Sequence, residues 1–231
     1  MKPARRRARV WGICLATLVF LAARAVSAEE ERNGSRNPPV NSFVSNVTFV
    51  VFDTETTGFS PTTDRIVELG AVKFRNGEVV EEKSWLINPG RKIPYWATKV
   101  HGITDEEVKN EPAFADIYPE FLEFISGSVL IAHNAKFDIS FVKAEATRAG
   151  RELPANKVID SLALFRKWYP KSSSHSVAAV AKHAAVRTDT LHRAAADSMY
   201  VFLIFDKSIK ERNEKFKLGD IYDQCGGPMK F

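Results

Sequence analysis

Cysteine is scarce in this sequence, with two in 231 residues. Cys14 lies in an N-terminal segment that we expect to be removed, which leaves Cys225 alone and no intramolecular disulfide in the mature chain. The apolar run from Ile13 to Ala23 has 11 residues and is too short to span a bilayer comfortably. These absences exclude a disulfide-stapled scaffold, and the length and 45% hydrophobic content favour one globular domain.

The first 28 residues are typical of an export signal. Six basic residues and no acidic residue accompany the apolar run, and the small residues Val26, Ser27 and Ala28 suit signal-peptidase cleavage. We therefore predict a signal peptide over residues 1–28 and a periplasmic or secreted protein, with no stable membrane association after cleavage. An uncleaved membrane anchor and an organellar transit peptide are the alternatives.

The positive charge belongs to this leader. The whole chain has a formal charge of +5, but outside the leader 27 basic residues face 28 acidic ones. The basic composition alone therefore does not indicate a nucleic-acid-binding domain.

The rest of the chain predicts a mixed α/β fold. Residues 29–45 are polar with a Pro-Pro pair and predict a linker. The segments VTFVVFD, RIVELGAVKF and EVVEEKSWLI predict three strands, with a hairpin turn at Asn76-Gly77 between the last two. Helical patterns then alternate with the short strands VLIAHN and KVIDS, which predicts a mixed central sheet flanked by helices. We expect one domain over residues 46–206 and a C-terminal tail over 207–231.

Acidic residues follow two of these strands. Asp53 and Glu55 end the first strand, and an extended chain would place them on one face, where two carboxylates repel unless a cation lies between them. A solvated turn is the alternative. Asp138 follows the strand VLIAH, and Asp197 lies in a helix beside the small residues 194–196, which would permit close approach to a neighbour.

Three segments, DTETTG, HNAKFD and HRAAAD, resemble in order and separation the motifs of the DEDDh family of 3′-5′ exonucleases. The resemblance covers residues 47–205, includes VHGIT at 100–104, and is strongest to the proofreading (epsilon) subunit of DNA polymerase III and its stand-alone relatives. It implies a ribonuclease H-like fold and His192 as general base. The metal-binding acids that it implies are Asp53, Glu55, Asp138 and Asp197.

The donor chemistry agrees with that resemblance. Four carboxylates without a cysteine or histidine cluster form a hard-oxygen site that suits Mg²⁺ or Mn²⁺, and the expected chemistry uses two ions per site. His192 is five residues before Asp197, so the two cannot share a helix face, and we expect His192 at the helix start or in the preceding loop.

The same resemblance implies residues that bind the 3′ nucleotide. The substrate-binding residues that we predict are Thr56, Thr57, Gly58, His101, Gly102, Ile103 and Asn134. For Gly58 and Gly102 the alternative to nucleotide binding is that each only forms a turn. Arg193 could contact phosphate or be solvated, and Asp160 could cap its helix.

The predicted function is that of a metal-dependent 3′-5′ exonuclease. Its expected partner is the 3′ end of a single-stranded nucleic acid, with DNA as the expected substrate and nucleoside 5′-monophosphates as products. A non-catalytic nucleic-acid-binding or polymerase-associated module of the same fold is the alternative. The sequence identifies no protein partner.

Overall fold

A six-stranded sheet lies at the centre of the computed structural model, which describes residues 37–188, 193–212 and 215–231. The strands are Thr48–Thr56 (β1), Ile66–Arg75 (β2), Glu78–Leu86 (β3), Val129–Ala132 (β4), Lys157–Asp160 (β5) and Met229–Lys230 (β6). The helices are Tyr95–His101 (α1), Asp105–Val108 (α2), Phe114–Ile125 (α3), Lys136–Arg148 (α4), Ser161–Trp168 (α5), Val177–His183 (α6), Ala194–Glu211 (α7) and Leu218–Gln224 (α8).

The sheet is mixed and has the order β3-β2-β1-β4-β5-β6. β1 pairs antiparallel with β2 and parallel with β4, and β5 pairs parallel with β4. The predicted α/β fold is therefore confirmed, and the hairpin turn is confirmed too, since Asn76 and Gly77 both have positive φ.

Side chains of β1 alternate between two hydrophobic cores, one on each face of the sheet. Phe49 and Val51 join the core on the α7 side, where the ring of Phe49 lies 5.4 Å from that of Phe205. Val50 and Phe52 join the core on the side of α3 and α4. This alternation continues past the apolar run, so Asp53 and Glu55 face α7 and Thr54 faces α4.

The folded domain extends beyond residue 206, where we predicted a tail. α7 continues to Glu211, α8 packs in the core on the α7 side, and β6 pairs with β5. At the other end, Asn37 within the predicted linker accepts a hydrogen bond from the backbone amide of Lys157. The pairing of β6 and the contact of Asn37 share one reason: a two-residue strand and an isolated contact leave no periodic pattern in the sequence.

The predicted leader lies outside the described residues, as does all of 1–36. No helix within the described part of the chain combines the length and the apolar character that crossing a membrane requires.

Candidate active site

Three of the four predicted acids meet at the end of β1. Ligand atoms from Asp53, Glu55 and Asp197 all lie within 4.8 Å of one another, and all three residues are partly buried. β1 stays extended through Glu55, so the prediction that Asp53 and Glu55 share a face is confirmed. Asp197 comes from the first turn of α7, which covers that face.

A glycine in β2 allows α7 to approach this closely. Gly70 pairs with Asp53 across the sheet, and a Cβ atom at Gly70 would lie 2.1 Å from the backbone nitrogen of Ala195. The hydroxyl of Ser198 donates to the Gly70 carbonyl at 3.3 Å. The close helix approach that we predicted from the small residues is confirmed, and Gly70 is the neighbour that makes it possible.

The fourth acid, Asp138, reaches the same strand end from the opposite face of the sheet. Its Oδ1 accepts two hydrogen bonds from Thr54, from the backbone amide at 3.0 Å and from the hydroxyl at 2.8 Å. Asp138 opens α4, which lies on the face to which Thr54 points. These two hydrogen bonds fix the carboxyl of Asp138, which is not one of the three acids whose ligand atoms lie together.

Burial and neighbouring carboxylates raise the pKa values of these acids. Burial raises the pKa of Asp53 well above its usual range, and Asp138 and Glu55 raise it further. Burial, followed by Asp197 and Glu68, raises the pKa of Glu55 to about 8. Burial also raises the pKa of Asp138 to about 7, although its hydrogen bonds oppose the shift. The folded chain therefore resists placing full negative charge on this group.

Glu68 is a buried acid next to this group that the sequence analysis did not identify. It lies opposite Glu55 in the register of β1 and β2 and is 1% exposed. Arg193 donates to both carboxylate oxygens at 3.0 Å, and the amide of Ala194 donates at 3.1 Å. Ser84 also donates, at 2.7 Å. Arg193 is thus ion-paired, and Glu68 fixes the start of α7.

Turn geometry explains part of the DTETTG motif. The hydroxyl of Thr56 donates to the Gly58 carbonyl at 2.6 Å, and Thr57 is fully buried. A Cβ atom at Gly58 would lie 2.3 Å from a carboxylate oxygen of Asp64. A larger residue at position 58 would therefore force the Asp64 carboxylate to move, whether or not the Gly58 backbone also contacts a nucleotide.

The VHGIT segment ends α1 in a tight turn. The Nδ1 atom of His101 accepts a hydrogen bond from the amide of Ile103 at 3.0 Å, and both side chains are buried. Gly102 is exposed and has a φ of 78°, which favours glycine. The exposed part of this turn is therefore the backbone of Gly102. The buried side chains of His101 and Ile103 pack on its inner side.

Asp160 organises the HNAKFD motif from the neighbouring strand. Its Oδ1 accepts hydrogen bonds from the amides of Asn134, Ala135 and Leu162. The last of these is the helix cap that the sequence predicted. Asn134, four residues before Asp138, has a φ of 62° and is exposed at the surface.

The predicted general base, His192, lies outside the described residues. It directly precedes Arg193, the residue that Glu68 anchors.

The donor atoms of the group fit a divalent metal ion. Carboxylate oxygens are the ligands that Mg²⁺, Mn²⁺ and Ca²⁺ prefer, whereas zinc favours nitrogen and sulfur. A dication at this position would also offset the repulsion that, after burial, raises the pKa values of Asp53 and Glu55. The residues present therefore suit a divalent ion bound through oxygen.

Comparison with known proteins agrees with this site. DNA polymerase III PolC-type of Clostridium perfringens is 39% identical over 173 residues, which are 75% of this chain and 12% of that protein. The 3′-5′ exonuclease DinG of Bacillus subtilis is 37% identical over 158 residues, 68% of this chain and 17% of DinG. DNA polymerase III subunit epsilon of Treponema pallidum is 36% identical over 165 residues, 71% of this chain and 77% of that subunit. The chain spans only a small part of the first two relatives.

A solved structure shares both fold and sequence features. Exonuclease X in complex with 5′ overhanging duplex DNA is 28% identical in sequence and superimposes with a TM-score of 0.57. The alignment covers 75% of this chain and 98% of the Exonuclease X chain. The family described as RNase_T, Exonuclease, matches residues 50–205, which include Asp53, Glu55, Asp138 and Asp197. The chain therefore belongs to the RNase_T exonuclease family.

Proposed function

We propose that this protein is a metal-dependent 3′-to-5′ exonuclease that releases nucleoside 5′-monophosphates from single-stranded DNA. The observation that carries the proposal is the group Asp53, Glu55 and Asp197, whose ligand atoms lie within 4.8 Å of one another. Partly buried acids that repel one another oppose folding, so stability does not account for this arrangement. A reaction that depends on a bound cation accounts for it.

We assign the metal to Mg²⁺ or Mn²⁺, with two ions per site held by Asp53, Glu55, Asp138 and Asp197. Such ions activate water and stabilise the charge that develops on a scissile phosphate. Thr54 fixes the carboxyl of Asp138 at the end of β1, so its position is set before substrate binds.

We assign the general base to His192. An imidazole titrates near neutral pH and can take a proton from an attacking water without binding a metal. The pairing of Glu68 with Arg193 and with the amide of Ala194 supports this assignment indirectly, because it anchors the chain immediately after His192.

The terminal 3′ nucleotide would lie between two turns. The residues that we propose for its binding are Thr56, Thr57, Gly58, His101, Gly102, Ile103 and Asn134. Buried members such as His101 and Ile103 would act by shaping the turn that presents Gly102. The 3′-to-5′ direction is supported by the likeness to DinG, which is named a 3′-5′ exonuclease.

The test is cleavage by the purified full chain of end-labelled single-stranded DNA, blunt duplex, duplex with a 5′ overhang, and RNA. Each substrate is incubated with Mg²⁺, Mn²⁺ or EDTA, and the products are identified by chromatography. We expect stepwise shortening from the 3′ end with either metal and none in EDTA. Cleavage that persists in EDTA, or release of nucleoside 3′-monophosphates, would contradict the proposal.

We also propose export, on the leader sequence alone. Cleavage after Ala28 gives a mature chain that begins Glu29-Glu30-Glu31. N-terminal sequencing of the protein from fractionated cells tests this. Recovery of the intact N-terminus in the cytoplasmic fraction would exclude it.

A further inference from the structure

One carboxylate ties together the turn that follows β1. Asp64 lies in the β1–β2 turn, residues 57–65, and its side chain is 17% exposed. Its Oδ1 accepts a hydrogen bond from the hydroxyl of Thr57 at 3.4 Å, and its Oδ2 accepts one from the amide of Ser60 at 3.0 Å. The Nη1 atom of Arg91 lies 3.5 Å from Oδ1, with 42% of that side chain exposed. Asp64 therefore holds two points of the turn at once, with an exposed guanidinium as its counter-charge.

The same carboxylate packs against the backbone of Gly58. A Cβ atom at Gly58 would lie 2.3, 2.5 and 2.8 Å from the Oδ2, Cγ and Oδ1 atoms of Asp64. Thr57, which is fully buried, also accepts a hydrogen bond from the amide of Arg65 at 3.1 Å. Thr57 and Gly58 follow directly after Glu55 and Thr56 in the chain. The contacts of Asp64 therefore fix the backbone immediately after the acidic group.

The loop that carries Asp64 is anchored to α4. Arg148, the last residue of α4, donates to the carbonyl of Pro61 at 2.8 Å and to that of Asp64 at 3.3 Å. Arg148 also pairs with Glu145 of the same helix at 2.9 Å, and Glu145 is buried. Because α4 carries Asp138 in its first turn, the fourth acid and the β1–β2 turn share one rigid support.

These contacts order a segment that has no regular secondary structure. Residues 57–65 belong to no helix or strand, so the segment relies on individual hydrogen bonds for its shape. A binding surface that is ordered in advance gains affinity, because the cost of ordering it is not incurred when the ligand binds. Asp64 contacts Thr57, Gly58 and Ser60, so its support goes to the proposed nucleotide site rather than to the acids of the proposed metal site.

We propose that Asp64 is a positioning residue that holds the β1–β2 turn in the shape that receives the 3′-terminal nucleotide. This inference rests on the proposed exonuclease function and adds to it a residue that acts through Thr57, Gly58 and Ser60. Without the carboxylate the turn would adopt other shapes, and the cost of ordering it would offset part of the binding free energy. The affinity for the terminal nucleotide would fall, while the acids on β1, α4 and α7 would keep their positions and their affinity for metal.

The test compares the wild-type full chain with Asp64→Ala and Asp64→Asn. Asparagine fills a similar space but carries one acceptor oxygen in place of two, so it serves as an intermediate variant. Asp220→Ala is the matched control, because Asp220 also accepts a backbone hydrogen bond, from the amide of Lys217 at 2.8 Å. Lys217 bridges to Phe43, which precedes β1, whereas the candidate site lies at the other end of that strand.

Four quantities are measured at a temperature where circular dichroism shows each variant to be folded. They are kcat and KM for a single-stranded oligonucleotide with Mg²⁺, the inhibition constant of thymidine 5′-monophosphate, and the affinity for Mn²⁺. A 5′-mononucleotide has the chemistry of the proposed product and can occupy the terminal-nucleotide site alone. Its inhibition constant therefore reports on that site separately from the rest of the strand.

We expect Asp64→Ala to raise KM and the inhibition constant of thymidine 5′-monophosphate by the same factor. That factor should be about 10- to 100-fold, the size of effect that the loss of hydrogen bonds to a charged group produces. The kcat value should change by less than about threefold, and the Mn²⁺ affinity should stay the same. Asp64→Asn should lie between Asp64→Ala and the wild type, and Asp220→Ala should match the wild type.

Two results would overturn the positioning role while the exonuclease proposal stands. A folded Asp64→Ala with wild-type KM and inhibition constant, even one with a lower melting temperature, would make Asp64 a residue of stability alone. Equal losses of nucleotide and Mn²⁺ affinity would mean that Asp64 supports the acids and not the turn. If Asp64→Ala does not fold, Asp64→Asn decides by the same criteria. A wild type that cleaves no substrate would instead contradict the exonuclease proposal, and the positioning role with it.

Discussion

Glu55 and Glu68 face each other across β1 and β2, yet their surroundings act on them in opposite directions. Around Glu55, burial and the carboxylates of Asp197 and Glu68 raise the pKa to about 8. Burial also acts on Glu68, but hydrogen bonds from Arg193, Ser84 and the Ala194 amide outweigh it and hold the pKa below its usual range. Two identical side chains on neighbouring strands therefore differ in how directly a protein cation neutralises them: Arg193 hydrogen-bonds Glu68, but at Glu55 it only partly opposes the rise in pKa.

This difference separates an acid that supports the fold from an acid that we propose to bind metal. Glu68 has its full set of partners within the chain and stabilises the start of α7. Glu55 lies among acids, and Arg193 offsets its raised pKa only in part, so Glu55 keeps the shifted pKa that marks a candidate functional site. The two acids can be compared by the same substitution, since glutamine preserves the shape and removes the charge.

The largest effect is expected at the acids of the proposed metal site. Asp53→Asn or Asp197→Asn should abolish measurable turnover and weaken Mn²⁺ binding together, because each removes a charged ligand. Asp206→Asn is the control, since Asp206 pairs with Lys210 at the exposed surface of α7. Turnover is measured on labelled single-stranded DNA, and Mn²⁺ binding by titration. Wild-type activity in either site variant would rule out the metal-site assignment.

His192 and Arg193 extend the comparison, because one is proposed to move a proton and the other holds Glu68. His192→Ala should lower the single-turnover rate by about 10²- to 10⁴-fold and leave Mn²⁺ and DNA affinity nearly unchanged. The rise of the wild-type rate with pH near neutrality should be lost in this variant. Arg193→Ala should instead lower the free energy of unfolding and keep the shape of the pH profile. Equal loss of rate and metal affinity in His192→Ala would make His192 a ligand or a support.

The sequence predicted the acids better than the residues that support them. Asp53 and Glu55 follow from strand periodicity, and Asp138 and Asp197 from motifs that resemble a family. Glu68 gave no such signal: it is one acid in the apolar strand IVELGAV, and its partner Arg193 is 125 residues away in the chain. A charge inside a buried strand indicates only that a partner is needed.

The C-terminal strand was missed for a different reason. β6 has two residues, and its neighbour Phe231 contributes by packing near the ring of Phe52, 6.1 Å between centroids. Neither feature has a period that a sequence window can detect. What the sequence could not predict is therefore the pairing of distant segments, in the site and in the sheet alike.

Glutamine substitution at the two facing acids should change stability with opposite signs. In metal-free protein at pH 8, Glu68→Gln should lower the free energy of unfolding by about 2–3 kcal/mol, because charge-assisted hydrogen bonds to Arg193 are lost. Glu55→Gln should raise it by about 1 kcal/mol, because a buried charge among acids is removed. Urea unfolding followed by circular dichroism measures both. A loss of similar size in both variants would mean that Glu55 also stabilises the fold.

The smallest expected effect is the pH dependence of stabilisation by metal. Folding raises the pKa of Glu55 to about 8 and that of Asp138 to about 7, so the unfolded chain releases these protons more readily than the folded one. Metal-free stability from these groups is therefore fully present below about pH 4 and is lost as pH rises through 7 and 8.

A bound dication supplies a counter-charge that offsets the cost of ionising these buried acids, and at low pH it must first displace protons. Saturating Mg²⁺ or Mn²⁺ should consequently raise the melting temperature more at pH 8 than at pH 5, by an extra ~2–4 °C, which corresponds to about 1 kcal/mol for a domain of this size. Differential scanning calorimetry at the two pH values measures it, with Asp206→Asn expected to behave like the wild type. In Glu55→Gln the difference between the two pH values should shrink. A metal shift that is equal at both pH values, or larger at pH 5, would show that the raised pKa values do not belong to the ion-binding acids, and Glu55 would then be a support like Glu68.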